Sequence, residues 1–373
     1  VSLAVLIVMF AFSAASAMDQ RSCFGEYNAT NGRWSGAFGG SYNTAGGDYS
    51  VAIGGAHNYS AYNSTATLGG QNNEALGESA VAVAGAYNIS KGNFSSVVGG
   101  YSNEASGTWY PSVFGGYDNT ASGDYSTVSG GYDNTASGNY STAFGGYSNT
   151  ASGQNASTFG GYKNTASGKE STASGGHNNT AEGYIASTFG GANSKATGSY
   201  SGTYGGQAAT ASGYGSAAYG GHYNTASGED AAAYGGMSNT ASGAESSTVG
   251  GLGNIASGKY SNASGGYSNT AKGATSSTFG GISNTASNDY ATAAGGGSNT
   301  SEGYASSAFG GRYNTASGYY STTFGGYSNT ASGTDAAAVG GNINTASGTY
   351  STASGGYNNT AEGYRASTFG GAN

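Results

Sequence analysis

Few side chains in this sequence are of a type that does chemistry, and their spacing decides what they do. Three histidines, His57, His177 and His222, are the groups that would carry protons or hold a metal near neutral pH. Each falls at a variable position of a short repeat, which marks it as a surface residue. Carboxylates such as Asp124, Glu170, Glu182, Asp230 and Glu245 are scattered over turns and do not pair at a shared site. Glycine-rich stretches recur throughout and open no helix, so they do not read as phosphate-binding loops. The residues therefore point to no enzyme, no cofactor and no metal. The single cysteine, Cys23, reads as a thiol for intermolecular pairing or as a tolerated one.

Modification is the other chemistry the residues allow. Eleven Asn-x-Ser/Thr sequons are present, at Asn28, Asn58, Asn63, Asn88, Asn93, Asn139, Asn155, Asn178, Asn262, Asn299 and Asn358. Serine and threonine are also dense enough for O-linked sugar.

What must position these groups is a fifteen-residue unit, Gly-Gly-Tyr-Ser-Asn-Thr-Ala-Ser-Gly-x-Tyr-Ser-Thr-Ala-Phe, repeated 23 times from Phe24 to the last residue. Self-similarity at a fixed short period is the mark of a stacked repeat. With 73 glycines and 8 % charged residues the composition alone resembles a disordered chain. A disordered linker has no reason to hold Asn, Ala, Gly and Phe in phase, whereas a solenoid buries the same positions in every coil.

Numbering the unit from its first glycine, strand alternation sends positions twelve and fourteen to one side. These are small, as in Ser126 and Val128, or Ser141 and Ala143. Positions eleven, thirteen and fifteen point the other way. A second strand over positions three to eight puts Asn at five and Ala at seven on the packed face, while three and four vary freely and belong to solvent. Turns at the leading glycine pair and at Ser-Gly of positions eight and nine close the coil, with glycine supplying positive φ. The fold expected is all-β, a parallel β-roll or β-solenoid of about 23 coils, roughly 110 Å long at the 4.8 Å strand spacing. Alanine and serine cannot fill an ordinary sandwich, so its two sheets should lie closer than about 10 Å.

Asn occupies position five in 21 of 23 units, Ser194 and Ala209 being the exceptions, and serves either as a turn residue or as a rung of an amide ladder. One unit carries an extra residue around Thr108-Trp109-Tyr110-Pro111, where a bulge or kink is expected at the only proline. Position fifteen is large and apolar in 18 of 23 units, including Phe38, Ile53, Leu68, Val83, Phe144, Phe159, Phe189, Tyr204, Phe279, Phe309, Phe324 and Phe369. Alternation places this stripe outside, as a candidate self-association surface. The alternative tucks the rings inside and wets the Ser/Ala face. Asn28, Asn58, Asn88 and Asn299 fall at the packed position five and Asn262 on the association face, where sugar would conflict with packing.

Residues 1–17 read as an exported protein's signal peptide, with an apolar run, Leu3 to Phe10, ahead of Ala15-Ser16-Ala17 and with the usual charged start missing. Residues 18–23 form a short leader, and 24–373 the repeat domain. A net charge of −8 without a basic run argues against nucleic acid. No segment after the signal peptide suits membrane insertion.

Within Ser50-Val51-Ala52-Ile53-Gly54-Gly55, Ser79-Ala80-Val81-Ala82-Val83-Ala84-Gly85 and the recurring Asn-Thr-Ala-Ser-Gly followed by Ser-Thr-Ala-Phe-Gly-Gly, the chain resembles the head repeats of YadA-type trimeric autotransporter adhesins. The resemblance implies a left-handed parallel β-roll, three chains around an axis, and adhesion to matrix, host or neighbouring cells. Phe and Ser replace much of that family's Val and Ile, and Tyr is far more abundant. The function expected is an exported structural and adhesive rod acting at the cell surface. The alternative is a self-assembling, glycosylated extracellular filament. Ice or polysaccharide binding ranks below both, because Thr at position six stands alone and position thirteen varies.

Overall fold

The computed structural model describes residues 21–371; the signal-peptide reading therefore lies outside the described residues. The chain divides into two units, Val1–Gly190 and Gly191–Asn373. Both are parallel β-solenoids of roughly fifteen residues per turn, with about 23 turns in all and no helix among the described residues. A representative turn of the first unit contributes Thr120–Ala121 (positions six and seven) and Thr127–Ser129 (positions thirteen to fifteen). Both strands pair in register with the following turn, Thr120 with Thr135 and Val128 with Ala143. The second unit repeats this, with Thr225 beside Thr240 and Ala233 beside Thr248.

The interior holds only what two closely spaced sheets admit. Positions five, seven, twelve and fourteen are buried, and the largest fully buried side chains are Val97, Val113, Val128 and the asparagines. Cα atoms of the two sheets come within 8 Å of each other, closer than an ordinary sandwich. Ser60 shows how close: its hydroxyl donates to the Val51 carbonyl across the interior at 2.8 Å and lies 3.0 Å from the Thr67 hydroxyl.

Asparagine at position five fills both of the roles weighed for it. In the first unit the Asn134 N–H donates to Asn119 Oδ1 (2.9 Å), and the Asn149 N–H donates to Asn134 Oδ1 (2.9 Å). Asn134 Nδ2 donates to the Gly130 carbonyl of its own turn and the Gly146 carbonyl of the next, both at 3.2 Å. Each amide thus caps one turn and ties it to two neighbours. Alanine there would orphan the backbone N–H of the next asparagine and the Gly130 carbonyl at about 1–3 kcal/mol each, while the Gly146 carbonyl keeps the Tyr132 N–H; the loss is far more than a buried methyl returns.

The turns depart from expectation in an informative way. Glycine at positions one and two is left-handed, as in Gly145 (φ 55°) and Gly146 (φ 81°), but no positive φ occurs at position nine in Gly138. The left-handed residues of that side are at position eleven and, opposite, at position four, and apart from Gly215 and Gly253 they are not glycine: Tyr125 (φ 57°), Tyr140 (φ 60°), Asp118 (φ 56°) and Asp133 (φ 56°) are examples. Hydrogen-bond direction explains the pattern. Tyr132 N–H donates forward to Gly146, whereas Asp133 N–H donates back to Tyr117 and Tyr140 N–H back to Asp124. A single left-handed residue reverses its amide toward the preceding turn, a bond that offsets the roughly 1–2 kcal/mol conformational cost. Position four therefore interrupts the strand expected over three to eight, leaving two residues and a lone bridge at position three, such as Tyr117 with Tyr132.

Glycine at position nine serves closeness instead in most turns, Tyr62 and Asn288 being the exceptions: a Cβ on Gly138 would overlap the Gly153 carbonyl. The extra residue near Pro111 sits in that same turn, not in a strand. Asn93 pairs with Trp109, so Thr108 is the insertion, and Ser96 still pairs with Ser112 on the far side. Pro111 occupies buried position twelve, where other turns use the N–H only for a local bond such as Ser126 to Gly123. No interturn bond is lost.

The first strand, Arg21–Glu26, begins before the expected start of the repeats, and Cys23 lies within it beside Ala37 rather than in a leader.

Two adjacent glycines give a sharp comparison. A Cβ on Gly145 would meet only the Ser129 carbonyl at 4.0 Å, an ordinary contact, and Ala84 already occupies that position with φ 56°, whereas one on Gly146 would overlap the Asn149 amide and the Gly161 carbonyl. Gly145→Ala should lower stability by about 1 kcal/mol. Gly146→Ala should cost more than about 3 kcal/mol. Urea midpoints of the two variants, measured together, check the order.

Candidate functional site

With the interior filled by small side chains, everything able to meet a partner lies on four outward lines. One edge of each turn carries positions three and four and the other edge ten and eleven; one sheet face carries thirteen and fifteen, the other six and eight.

The edge at position three holds the most regular feature of the first unit. Tyr101, Tyr117, Tyr132, Tyr147, Tyr162 and His177 stack ring on ring, with centroids 4.8–5.1 Å apart and planes within 13°. The strand spacing imposes that separation, since in-register parallel strands bring identical side chains face to face. Ring faces are consumed by neighbours, so the ladder offers ring edges and phenol hydroxyls, each tyrosine being about two-fifths exposed. Crowding between rings desolvates Tyr132 and, with charge repulsion from Tyr147, Tyr117, Asp118 and Asp133, raises its pKa above the ordinary 10.0. The opposite edge stacks Phe94, Tyr110, Tyr125 and Tyr140. Sequence reading treated position three as freely variable; the run of Tyr at one phase was the available signal.

The position-fifteen side chains are outside. Ile53, Phe144, Phe159 and Phe189 are 37–44 % exposed and Phe38, Leu68 and Val83 half-buried; in the second unit Tyr204, Phe279, Phe324 and Phe369 are exposed and Phe309 half-buried. On the other face the half-buried threonine of position six does not stand alone, because position seven points inward and position eight returns outward. Thr120 with Ser122, Thr135 with Ser137, Thr150 with Ser152 and Thr165 with Ser167 make two ranks of hydroxyls.

The groups first considered for chemistry are dispersed. His57 stacks on Tyr42 and His177 on Tyr162, while His222 Nδ1 lies 3.0 Å from Gln207 Oε1. Several carboxylates and amides of position ten act as caps that sequence reading missed: the Trp109 N–H donates to Asp124 Oδ1 (3.0 Å), and the Asp124 N–H to Asn139 Oδ1 (3.2 Å). Among the described residues, no three His, Cys, Asp or Glu side chains could hold a metal. No helix among them is long and apolar enough to cross a membrane. Cys23 is free and exposed, its thiol donating to the Asn28 carbonyl at 3.0 Å. A notch of about 360 Å³ in the second unit, beside Ile282 and Arg312, arises where Gly297 omits the position-three side chain.

The sequons separate by burial. Asn58, Asn88 and Asn299 are fully buried rungs of the ladder, so a glycan on any of them is incompatible with the fold. Asn28, Asn93 and Asn262 are half-buried, and Asn262 Nδ2 is engaged by Ser247. Asn63, Asn139, Asn155, Asn178 and Asn358 are exposed, the first three on the edge at positions ten and eleven and the last two at position four.

No protein-family model matches the chain, and no curated protein matches it in sequence.

The tyrosine ladder predicts a pH effect. A folded pKa raised above the unfolded value contributes stability that is complete below pH 10 and is lost as pH rises through the folded value. Absorbance titration at alkaline pH should show a late-ionising fraction that shrinks in Tyr132→Phe. Identical curves would place the ring in open water.

Proposed function

We propose that the chain is an exported structural and adhesive solenoid, acting at the cell surface as the head-like part of an adhesin and carrying no catalytic role. The observation behind this reading is the exterior of the first unit, where rings repeat in register from Tyr101 to His177 about every 5 Å. Contacts too weak to hold singly become strong when many are presented on one stiff scaffold, the logic of multivalent attachment. Phenol edges and hydroxyl ranks suit polar extracellular surfaces such as matrix or a neighbouring cell. Resemblance to YadA-type head repeats supports the same reading, and exposed sequons are compatible with a glycosylated exterior.

Beads coated with the full chain and held under flow on matrix-coated or cell-covered surfaces provide the test. Coated beads should be retained well above bare ones. Replacing Tyr117, Tyr132 and Tyr147 by Ser should abolish most of the retention without altering circular dichroism, since position three already tolerates Ala86 and Gly297. Retention equal to bare beads, with continuous fibres in electron micrographs, would favour a self-assembling filament instead.

A further inference from the structure

The exposed stripe of the first unit has an order along its length. Position fifteen reads Phe114, Ser129, Phe144, Phe159, Ser174, Phe189, which is the same large-small sequence in either direction. These six residues lie on neighbouring in-register strands of one sheet. The four phenylalanines are 42–49 % exposed and the two serines half-buried. Phe144 and Phe159 stack at 5.2 Å, so the stripe alternates ridges with single-strand gaps. The outward neighbours at position thirteen are all Ser or Thr over this stretch, and no charge stands on the face.

We propose that this face pairs with the same face of a second copy, antiparallel, about a two-fold axis through Phe144. That register sets Phe144 against its own mate. It drops Phe114 into the gap left by Ser174 of the other copy, and Phe159 into the gap left by Ser129. Reciprocity is what a closed two-fold interface demands, and this register meets it, because each Phe-to-Ser match recurs when the copies are exchanged. A parallel in-register pairing instead opposes Phe to Phe and Ser to Ser, leaving voids beside overpacked rings, which costs stability in both places. Shifting a parallel pair by one strand restores the fit but leaves an unclosed, head-to-tail contact.

Area is sufficient. Half-exposed phenylalanines contribute roughly 80–100 Å² each. With the hydroxyl ranks between them the face comes to about 600 Å² per partner, near the lower bound of a specific pair. A patch of this extent is also at the upper end of what a soluble monomer ordinarily leaves open. The pairing needs neither export nor adhesion. It leaves both tyrosine edges free, and a failed pairing would leave the adhesive reading intact.

The test uses the full chain with Cys23→Ser. Light scattering at micromolar concentration should give a dimer. Phe144→Glu, which sets two carboxylates together on the axis, should give a monomer with unchanged circular dichroism, and Phe144→Leu should remain dimeric. A short bis-maleimide should cross-link Thr142→Cys to its mate. It should not cross-link Ser174→Cys, whose mate lies about four strands, roughly 19 Å, away along the face. A monomeric parent, a trimer, or efficient cross-linking of Ser174→Cys would overturn the proposal.

Discussion

The fold rests on asparagine in a space that admits nothing larger than valine. When two sheets stand close enough for alanine to meet serine, the backbone of the turn between them loses access to water, and its polar groups must be paired from within. Position five does this with one side chain, accepting an amide from the next turn and donating to carbonyls of its own turn and the next. Because the same amide serves adjoining turns, a change in one is felt by both. The left-handed residues at positions four and eleven share in the economy, sending amides backward where the strands send them forward.

A packed interior of alanine, serine and asparagine has a consequence outside. The aromatic residues cannot go in, so the chain's apolar bulk is displayed, and the parallel register arranges it in lines. The lines differ in kind. Tyrosines of position three spend their faces on one another, which leaves a polar, edge-on ladder suited to weak repeated contact. Phenylalanines of position fifteen lie on a sheet face, interrupted by serines, and present shape. The two lines are therefore suited to different partners.

The period, the parallel coil and the small interior were legible because each is a matter of which positions stay constant. Constancy of Asn at five and of Ala at seven marked packing. The turn conformations were not legible. Tyr125 and Asp118 look like ordinary exposed residues, and only the direction of their amides reveals the left-handed backbone. Gly138 looked like a turn glycine but is small because the next turn's carbonyl lies against it. Ser122 and Ser137 were assigned to turns, and the hydroxyl rank they make with Thr120 and Thr135 emerged only once position seven was seen to point inward. Sequons followed the same rule: Asn58 and Asn139 carry the same motif and differ only in the phase at which the coil holds them.

Amide hydrogen exchange at position five tests the account most directly. If the ladder holds the turns together, the backbone amides of Asn119, Asn134, Asn149 and Asn164 exchange as slowly as strand amides such as Thr135, although they lie in no strand. The amide of Asn224, which follows Ala209 instead of an asparagine, exchanges faster, and Asn149→Ala releases the amide of Asn164. Exchange of all these amides at the rate of exposed turns, or an Asn164 amide that stays protected in Asn149→Ala, would contradict the ladder as the interaction on which the fold depends.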